Sequence, residues 1–430
     1  MKILQKYKIM IVLFTIILLS FLFLFKDIYR SLSYENRNFI KKIFLSEREI
    51  LLKPLKKNQL TLPNTYFTQI FLEKINIPNS YNTLNSRNKA VGYLEEFDNW
   101  VFFISGTGKI LKIKTLDLLN KKNSFLKVNS NFNDFIKDNE LLLSSSKSIQ
   151  INHKVSINDI LIEDDQFFIS YTAKKNDCYY NKIVSANLNS NFLNFMEFFN
   201  PNECIKIQIP FSKFNAQAAG GRLLKKDNNM YLTTGTFLNN SLAQNDNSIF
   251  GKVLEIKINS GKYKIYAKGL RNPQGLTEYN DNLILTEHGP YGGDEINKLI
   301  LNKNYGWNVS SYGRKYNATY DDESNFFQNH DNYEEPIFSF VPSVGLSQII
   351  PTYDFEIKWK DNLISTSLNG RSIFRLSFDK NFNRLISYER IFIGERIRDI
   401  IYLAKQKKYI LVLEESGSIG IISNKNNNSY

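Results

Sequence analysis

The sequence predicts an all-β chain: a six-bladed β-propeller preceded by an N-terminal transmembrane helix. Three observations carry that prediction. A two-strand pattern recurs six times, no helical run long enough for a crossover separates the copies, and one uncharged apolar stretch stands at the N-terminus. Each copy is a polar turn with Asp or Asn, an apolar strand ending in Ser, Thr or Gly, and a second apolar strand. Short strands with period-2 alternation between Gly and Asn turns read as half-buried β-structure. Copies spaced roughly 50–80 residues apart fit one antiparallel sheet per repeat, arranged radially as blades.

In chain order, residues 1–8 carry Lys2, Lys6 and Lys8, and Ile9 to Phe25 then run without a charge. At about 1.5 Å per residue such a helix is roughly 25 Å long, the short end of a membrane span. Phe23-Leu24-Phe25 lead straight into Lys26-Asp27, without the small residues of a signal-peptidase site. Residues 1–26 are therefore predicted to be an uncleaved signal-anchor, with the body on the periplasmic, extracytoplasmic side of an inner membrane. Lys26 and Arg30 on the far flank leave the orientation open on charge alone. Residues 27–88 read as a connecting segment, with an amphipathic helix over Glu35 to Arg48 and loops around Pro54, Pro63 and Pro78. The propeller is placed at 89–424. Its copies are DNWVFFISGTGKILKIK from Asp98, DQFFISYT with NKIVSANL from Asp165, and NNMYLTTGTF with GKVLEIKI from Asn228. DNLILTEHG with DEINKLIL follows from Asp281, then DNLISTSLNGRSIFRLSF from Asp361 and KKYILVLEESGSIGII from Lys407.

Composition excludes several classes. With 430 residues, 43% hydrophobic and 14% aromatic, the chain has ample material for a core, so disorder of the whole is excluded. The net charge of +13 is spread through the chain, with no block of basic residues interleaved with aromatics, so no nucleic-acid partner is expected. His153, His288 and His330 are the three histidines, and no CxxC or HExxH spacing exists for zinc. Gly106-Thr107-Gly108-Lys109 lacks the upstream Gly of a phosphate-binding loop, and no GxSxG elbow occurs. In an exported body the two cysteines, Cys178 and Cys204, are expected to be joined, because an isolated pair in an oxidising compartment usually is.

One stretch is specific. AKGLRNPQGLTEYNDNLILTEHGPYGGDEINKLILNKNYGWNVSSYG, residues 267–313, resembles the signature region of the glucose/sorbosone dehydrogenase family. From about residue 155 to 422 the blades match in order, including GGRL at Gly220–Leu223, SLNGRSIFRL at Ser367–Leu376 and RIRD at Arg396–Asp399. The resemblance implies a soluble-type aldose dehydrogenase that uses pyrroloquinoline quinone (PQQ) and calcium, acts on a sugar or related alcohol, and passes electrons to an acceptor the sequence does not name. PQQ carries three carboxylates, and a guanidinium bonds a carboxylate through a planar fork and stays charged. By resemblance, Arg271, Asn272, Arg396 and Arg398 hold the quinone. The carbonyls of Gly289 and Pro290 would face the cofactor calcium, a hard cation that takes oxygen ligands. Glu295 and Tyr305 match positions that hold a second, structural calcium in some members. For each arginine taken alone a salt bridge is the ordinary alternative, and for Glu295 and Tyr305 a hydrogen-bonded loop pair.

The departures from that pattern bear on activity. In the family a His four residues before the Arg of GGRL takes the hydroxyl proton, and an Asp in the next strand orients it. Here those places hold Ala218, preceded by Gln217, and Gly235-Thr236. The Lys expected in S-L-K is Asn369. His288, in the EHG motif, is the best-placed substitute base, although a structural histidine is the plainer reading of it, of His330 and of His153. Losing a general base typically costs about 10²–10⁴ in rate. Two functions therefore stay open: a membrane-anchored PQQ-dependent dehydrogenase with a diverged site, or an inactive propeller that binds a sugar, a quinone or a protein partner.

Overall fold

The computed structural model describes residues 59–61, 68–78, 92–106, 108–136, 157–176, 178–206, 216–315, 327 and 330–424. The proposed N-terminal helix and the helix expected over Glu35 to Arg48 lie outside the described residues. No helix among the described residues is long and apolar enough to cross a membrane.

Six antiparallel sheets follow one another along the chain. Blade 1 comprises Gly92–Phe97, Trp100–Ser105, Ile110–Lys114 and Leu126–Lys127. Blade 2 is Ile157–Glu163, Gln166–Lys175, Cys178–Asn187 and Met196–Phe199, with Ile205–Lys206 also paired to its third strand. Blade 3 is Gly220–Lys226, Asn229–Thr234, Lys252–Lys257 and Tyr263–Lys268, and blade 4 is Pro273–Tyr279, Asn282–Glu287, Asp294–Leu299 and Phe338–Phe340. Blade 5 runs Leu346–Pro351, Asn362–Ser367, Ser372–Phe378 and Leu385–Phe392.

The sixth sheet closes the ring. Ile397–Leu403, Lys408–Leu413 and Ser418–Asn424 supply three strands, and Ile70–Asn76 supplies the fourth, in register from Ile70↔Asn424 to Asn76↔Ser418. Gln59–Thr61 adds a short fifth. This corrects the boundary at residue 89, because part of the expected connecting segment is an integral strand. Lys74 on that strand forms an ion pair with Glu395, whose side chain is fully buried, so charge as well as backbone pairing fixes the closure.

The tight turns between first and second strands follow the Asp/Asn signal. Asp98 and Asn99, Asp164 and Asp165, and Asn280 and Asp281 all lie at positive φ, which short polar side chains tolerate better than other non-glycine residues. Apolar faces of neighbouring blades fill the wedges between them. Phe102 meets Phe167 edge-on at 5.6 Å, joining blades 1 and 2, and Phe340 meets Phe374 at 5.0 Å, joining 4 and 5.

Cys178 and Cys204 form a disulfide with Cα atoms 5.4 Å apart. The Ile205–Lys206 strand pairs back on Tyr179 and Cys178, which brings the two cysteines together. Cross-linking a loop of this size constrains the unfolded chain by about 3 kcal/mol. Cys204→Ser is expected to lower urea stability by about that amount, and a loss below about 1 kcal/mol would show that the bridge contributes little.

Strand order also fixes where a site can form. In every blade the innermost strand begins, and the second strand ends, at the same end of the channel. Residues just before inner strands and just after second strands therefore meet at one mouth.

Candidate functional site

Arg271 and Asn272 precede the inner strand of blade 4, Arg396 precedes that of blade 6, and Arg398 is its second residue. His288, Gly289 and Pro290 follow the second strand of blade 4. The topology thus delivers all these predicted residues to one mouth.

Below them the channel is filled by a charged layer that sequence reasoning did not single out. Arg222 of GGRL donates to Asp159 at 2.9 Å and to Asp399 of RIRD at 2.9 Å, and all three side chains are buried. Its Nε donates to the Gln274 carbonyl at 2.6 Å, its second amino group to the Arg398 carbonyl, and it lies over the Tyr93 ring at 5.0 Å. The carboxylates take backbone donors as well, Leu223 N–H on Asp159 and Leu94 N–H on Asp399. Burial alone would lower the Arg222 pKa, but Asp159 and Asp399 more than offset this and push it up. Five of the six inner strands, those of blades 1, 2, 3, 4 and 6, are tied through this one guanidinium.

Above that layer Arg396 and Arg398 converge on one carboxylate. Arg396 Nε and Arg398 Nε each donate to Glu414 at 2.7 Å, and Glu414 is fully buried. Burial would raise the Glu414 pKa; Arg398 and Arg396 overcome it and hold it at about 2. A second bond links Arg398 to Gln274 Oε1 at 3.1 Å. Arg271 lies with its guanidinium over the Trp307 ring at 5.3 Å and donates to the His288 carbonyl at 3.0 Å. Asn272 accepts from Gly220 N–H and from Gln274 Nε2. Arg398 and Arg271 are both near enough to His288 to disfavour its protonation. Arg398 of blade 6 and Arg271 of blade 4 therefore both act on His288, with Asp294 opposing them and Glu414 paired to Arg396 and Arg398.

His288 is held on both sides. Nε2 lies 2.5 Å from the Leu346 carbonyl, which can only accept, so the proton is on Nε2 and Nδ1 presents its lone pair to Asn272 Nδ2 at 3.4 Å. Burial, reinforced by Arg398 and Arg271 against the opposing pull of Asp294, lowers its pKa to about 4. That value is below the unfolded one near 6.5. As pH falls from about 6.5 to about 4, the unfolded chain takes up a proton the folded chain refuses, and stability drops. The stability advantage of wild type over His288→Gln is expected to shrink by about 3 kcal/mol between pH 7 and pH 4. A difference that stays constant with pH would show that the imidazole is not held neutral.

The Gly289–Pro290 turn is anchored by Asp294, which accepts from Gly289 N–H at 3.0 Å and from the Val344, Gly345 and Leu346 N–H groups. Glu287 and Glu295 are cross-strand partners and share the Asn297 amide. Burial raises Glu287 to about 7, and burial with repulsion from Glu287 raises Glu295 further. Tyr305 is not beside them through its hydroxyl. That group donates to the Lys298 carbonyl at 2.6 Å and accepts from Ile300 N–H, so only the backbone carbonyl of Tyr305 could serve a cation. No group of three or more His, Cys, Asp or Glu residues suited to a metal occurs among the described residues.

At the blade 3 corner, Ala218 is buried beside Gly235 and Thr236. Phe237 N–H donates to the Ala218 carbonyl, and a Cβ on Gly235 would come 2.1 Å from that oxygen, so glycine is required there. Thr236 Oγ1 and Trp307 Nε1 both donate to Asn240 Oδ1, at 3.1 and 3.2 Å, and Thr236 N–H donates to the Arg271 carbonyl. The described side chains at this corner are thus Thr236, Asn240, Trp307 and Arg271. None accepts a proton near neutral pH. Asn240 and Trp307 were not legible as site residues: their link depends on contacts 67 positions apart.

A sequence profile described as Glucose / Sorbosone dehydrogenase matches residues 153–421. Aldose sugar dehydrogenase YliI of Escherichia coli is 31% identical over 176 residues, 40% of this chain and 47% of that protein. Quinoprotein glucose dehydrogenase B of Acinetobacter calcoaceticus is 50% identical over 50 residues, 11% of this chain and 10% of that protein. The chain thus spans less than half the length of these curated relatives. The apo soluble aldose sugar dehydrogenase of E. coli superposes with a TM-score of 0.62 at 17% identity, over 83% of this chain and all of that one. The PQQ-bound aldose sugar dehydrogenase of Streptomyces coelicolor does so with 0.54 at 16% identity, over 85% of this chain and all of that one. At these identities the superpositions speak for the propeller fold, while the profile match over most of the chain decides kinship. The chain belongs to the glucose/sorbosone dehydrogenase family.

Proposed function

We propose that this protein is a PQQ-dependent sugar dehydrogenase-like propeller that keeps the quinone seat of its family but lacks the proton acceptor beside it. The observation that carries this reading is the placement of Arg271, Arg396 and Arg398 at one mouth, with Glu414 the ionised partner of Arg396 and Arg398 and Arg271 donating to the His288 carbonyl. A tricarboxylate fits that donor set, because three guanidiniums at close range repel one another unless further anions offset them. Arg271, held against Trp307, and Arg398, held against Gln274, would orient the anion, and Asn272 would border it. When bound, the quinone supplies a two-electron acceptor for a sugar hydroxyl carbon. The chain must then supply the base, and the blade 3 corner offers Ala218 and Thr236. His288 does not replace it, since its pKa of about 4 and its bonds to Leu346 and Asn272 keep its lone pair engaged.

Calcium belongs to the same proposal. The carbonyls of Gly289 and Pro290 would serve the cofactor calcium and Glu295 with the Tyr305 carbonyl a second one, where a cation would relieve the repulsion between Glu295 and Glu287. We further propose that the propeller is anchored by its N-terminal segment on the periplasmic side. The Cys178–Cys204 disulfide supports an oxidising compartment. Ala218 and Thr236 favour, as a second reading, a propeller that binds a sugar, quinone or protein partner without turnover.

The test of the seat is a fluorescence titration with PQQ. Wild type should bind saturably, and Arg398→Met should weaken binding about a hundredfold, the effect of losing one desolvated charge pair. Equal affinity of the two proteins would remove the arginines from the proposal.

A further inference from the structure

The end of the channel opposite the arginines carries an open surface groove of about 520 Å³ between blades 4 and 5. One wall is the Glu278–Asp281 turn of blade 4; the other is formed by Pro351, Tyr353, Lys360 and Asp361 of blade 5. The Arg222 layer fills the channel between the two ends, so this groove is distinct from the mouth described above.

Its chemistry is mixed in a particular way. Tyr353 is 52% exposed as a residue, with one face of its ring stacked flat on Tyr402 at 4.9 Å, the planes 8° apart. Tyr402 is in turn fixed by its hydroxyl bond to Asp354. The backbone of Tyr353 has φ 48°, the left-handed region, at a cost of order 1 kcal/mol for a bulky residue. The fold thus maintains an aromatic plate that presents itself to solvent. Beside it stand acceptors and donors together. Asp361 takes the Tyr279 hydroxyl on Oδ1 at 2.9 Å, Glu278 takes Lys226 on Oε1, and Asp281 and the Lys360 ammonium are exposed.

We propose that this groove is a saccharide-binding site. A neutral polyol matches it because each hydroxyl both donates and accepts, and the C–H face of a pyranose ring lies against an aromatic plate. The three carboxylates disfavour an anion, and Lys360 disfavours a simple cation. This inference does not depend on the quinone reading, and a sugar held here lies away from the arginine mouth.

Calorimetric titration with maltose, in the absence of PQQ, tests it on the full chain. Wild type should bind saturably. Tyr353→Ala should weaken binding about tenfold or more, and Asp281→Asn, which keeps a residue that tolerates the left-handed turn, should weaken it several-fold. Arg398→Met, at the other end, should leave maltose affinity unchanged. Absence of saturable maltose binding would overturn the proposal. So would binding that Arg398→Met abolishes and Tyr353→Ala spares, because the sugar would then occupy the arginine mouth. Tetramethylammonium binding that responds to the groove substitutions while maltose does not would make this a cation site and equally overturn it.

Discussion

Replacing Arg222 by methionine should destabilise the propeller by about 3–5 kcal/mol, the largest single-residue loss expected in this chain. The substitution keeps most of the buried volume but strands Asp159 and Asp399, both buried and both bonded to the missing guanidinium. It also removes the donors to the Gln274 and Arg398 carbonyls, so inner strands of five blades lose a shared tie. The penalty should depend on pH. Burial already raises both carboxyls with Arg222 in place, Asp159 to about 7, and without the guanidinium both rise further. Such groups favour the folded state below the unfolded pKa and lose that contribution as pH rises through the folded pKa. The variant should therefore recover part of its stability on acidification from pH 7 toward pH 4, as read by urea midpoints. A loss below about 1 kcal/mol at pH 7 would show that the layer is not the tie described.

The second large effect concerns catalysis. Ala218→His combined with Thr236→Asp should raise PQQ-dependent aldose oxidation by about 10²–10⁴, the usual contribution of a general base. The gain should appear in kcat more than in KM, because Arg271, Arg396 and Arg398, the residues proposed to hold the quinone, are unchanged. Thr236 Oγ1 now donates to Asn240 Oδ1, so an aspartate there requires the Asn240 amide to turn its Nδ2 toward the new carboxylate. If the double variant folds and binds PQQ yet gains nothing, the vacant base is not the main defect, and the binding-only reading takes over.

The sequence made the blade pattern legible because turn chemistry and strand alternation are local. Asp98-Asn99 or Asn280-Asp281 announces its hairpin without any knowledge of the rest of the fold. The closing strand was not legible. Ile70–Asn76 precedes the first blade and pairs with the chain's far end, 342 residues away at Asn76 and Ser418, and nothing in its own pattern marks that partner. The mouth residues of blades 4 and 6 were found because their motifs are dense and contiguous. Glu414 and Asn240 were missed for the opposite reason: one is a single acid beyond a strand end, the other an amide in a turn. Their importance comes from pairing with Arg396 and Arg398, and with Thr236 and Trp307. One signal could have pointed to the central layer. GGRL and RIRD place an arginine and an aspartate at inner-strand starts of different blades, which a closed ring must bring face to face. No motif shows that the Tyr305 hydroxyl is committed to the backbone of its own loop, which leaves its carbonyl as the oxygen for the role the resemblance implies.

The most direct measurement is a combined titration and turnover experiment on the unmodified protein. PQQ and calcium are added, binding is followed by quinone absorbance and protein fluorescence, and an aldose with a reducible dye is then supplied. A quinone seat without a base predicts saturable binding, with sugar-dependent dye reduction that is absent or slow and is raised by the Ala218→His, Thr236→Asp pair. Failure of PQQ to bind would contradict the seat. Dye reduction as fast as in aldose sugar dehydrogenase YliI measured alongside would contradict the missing base.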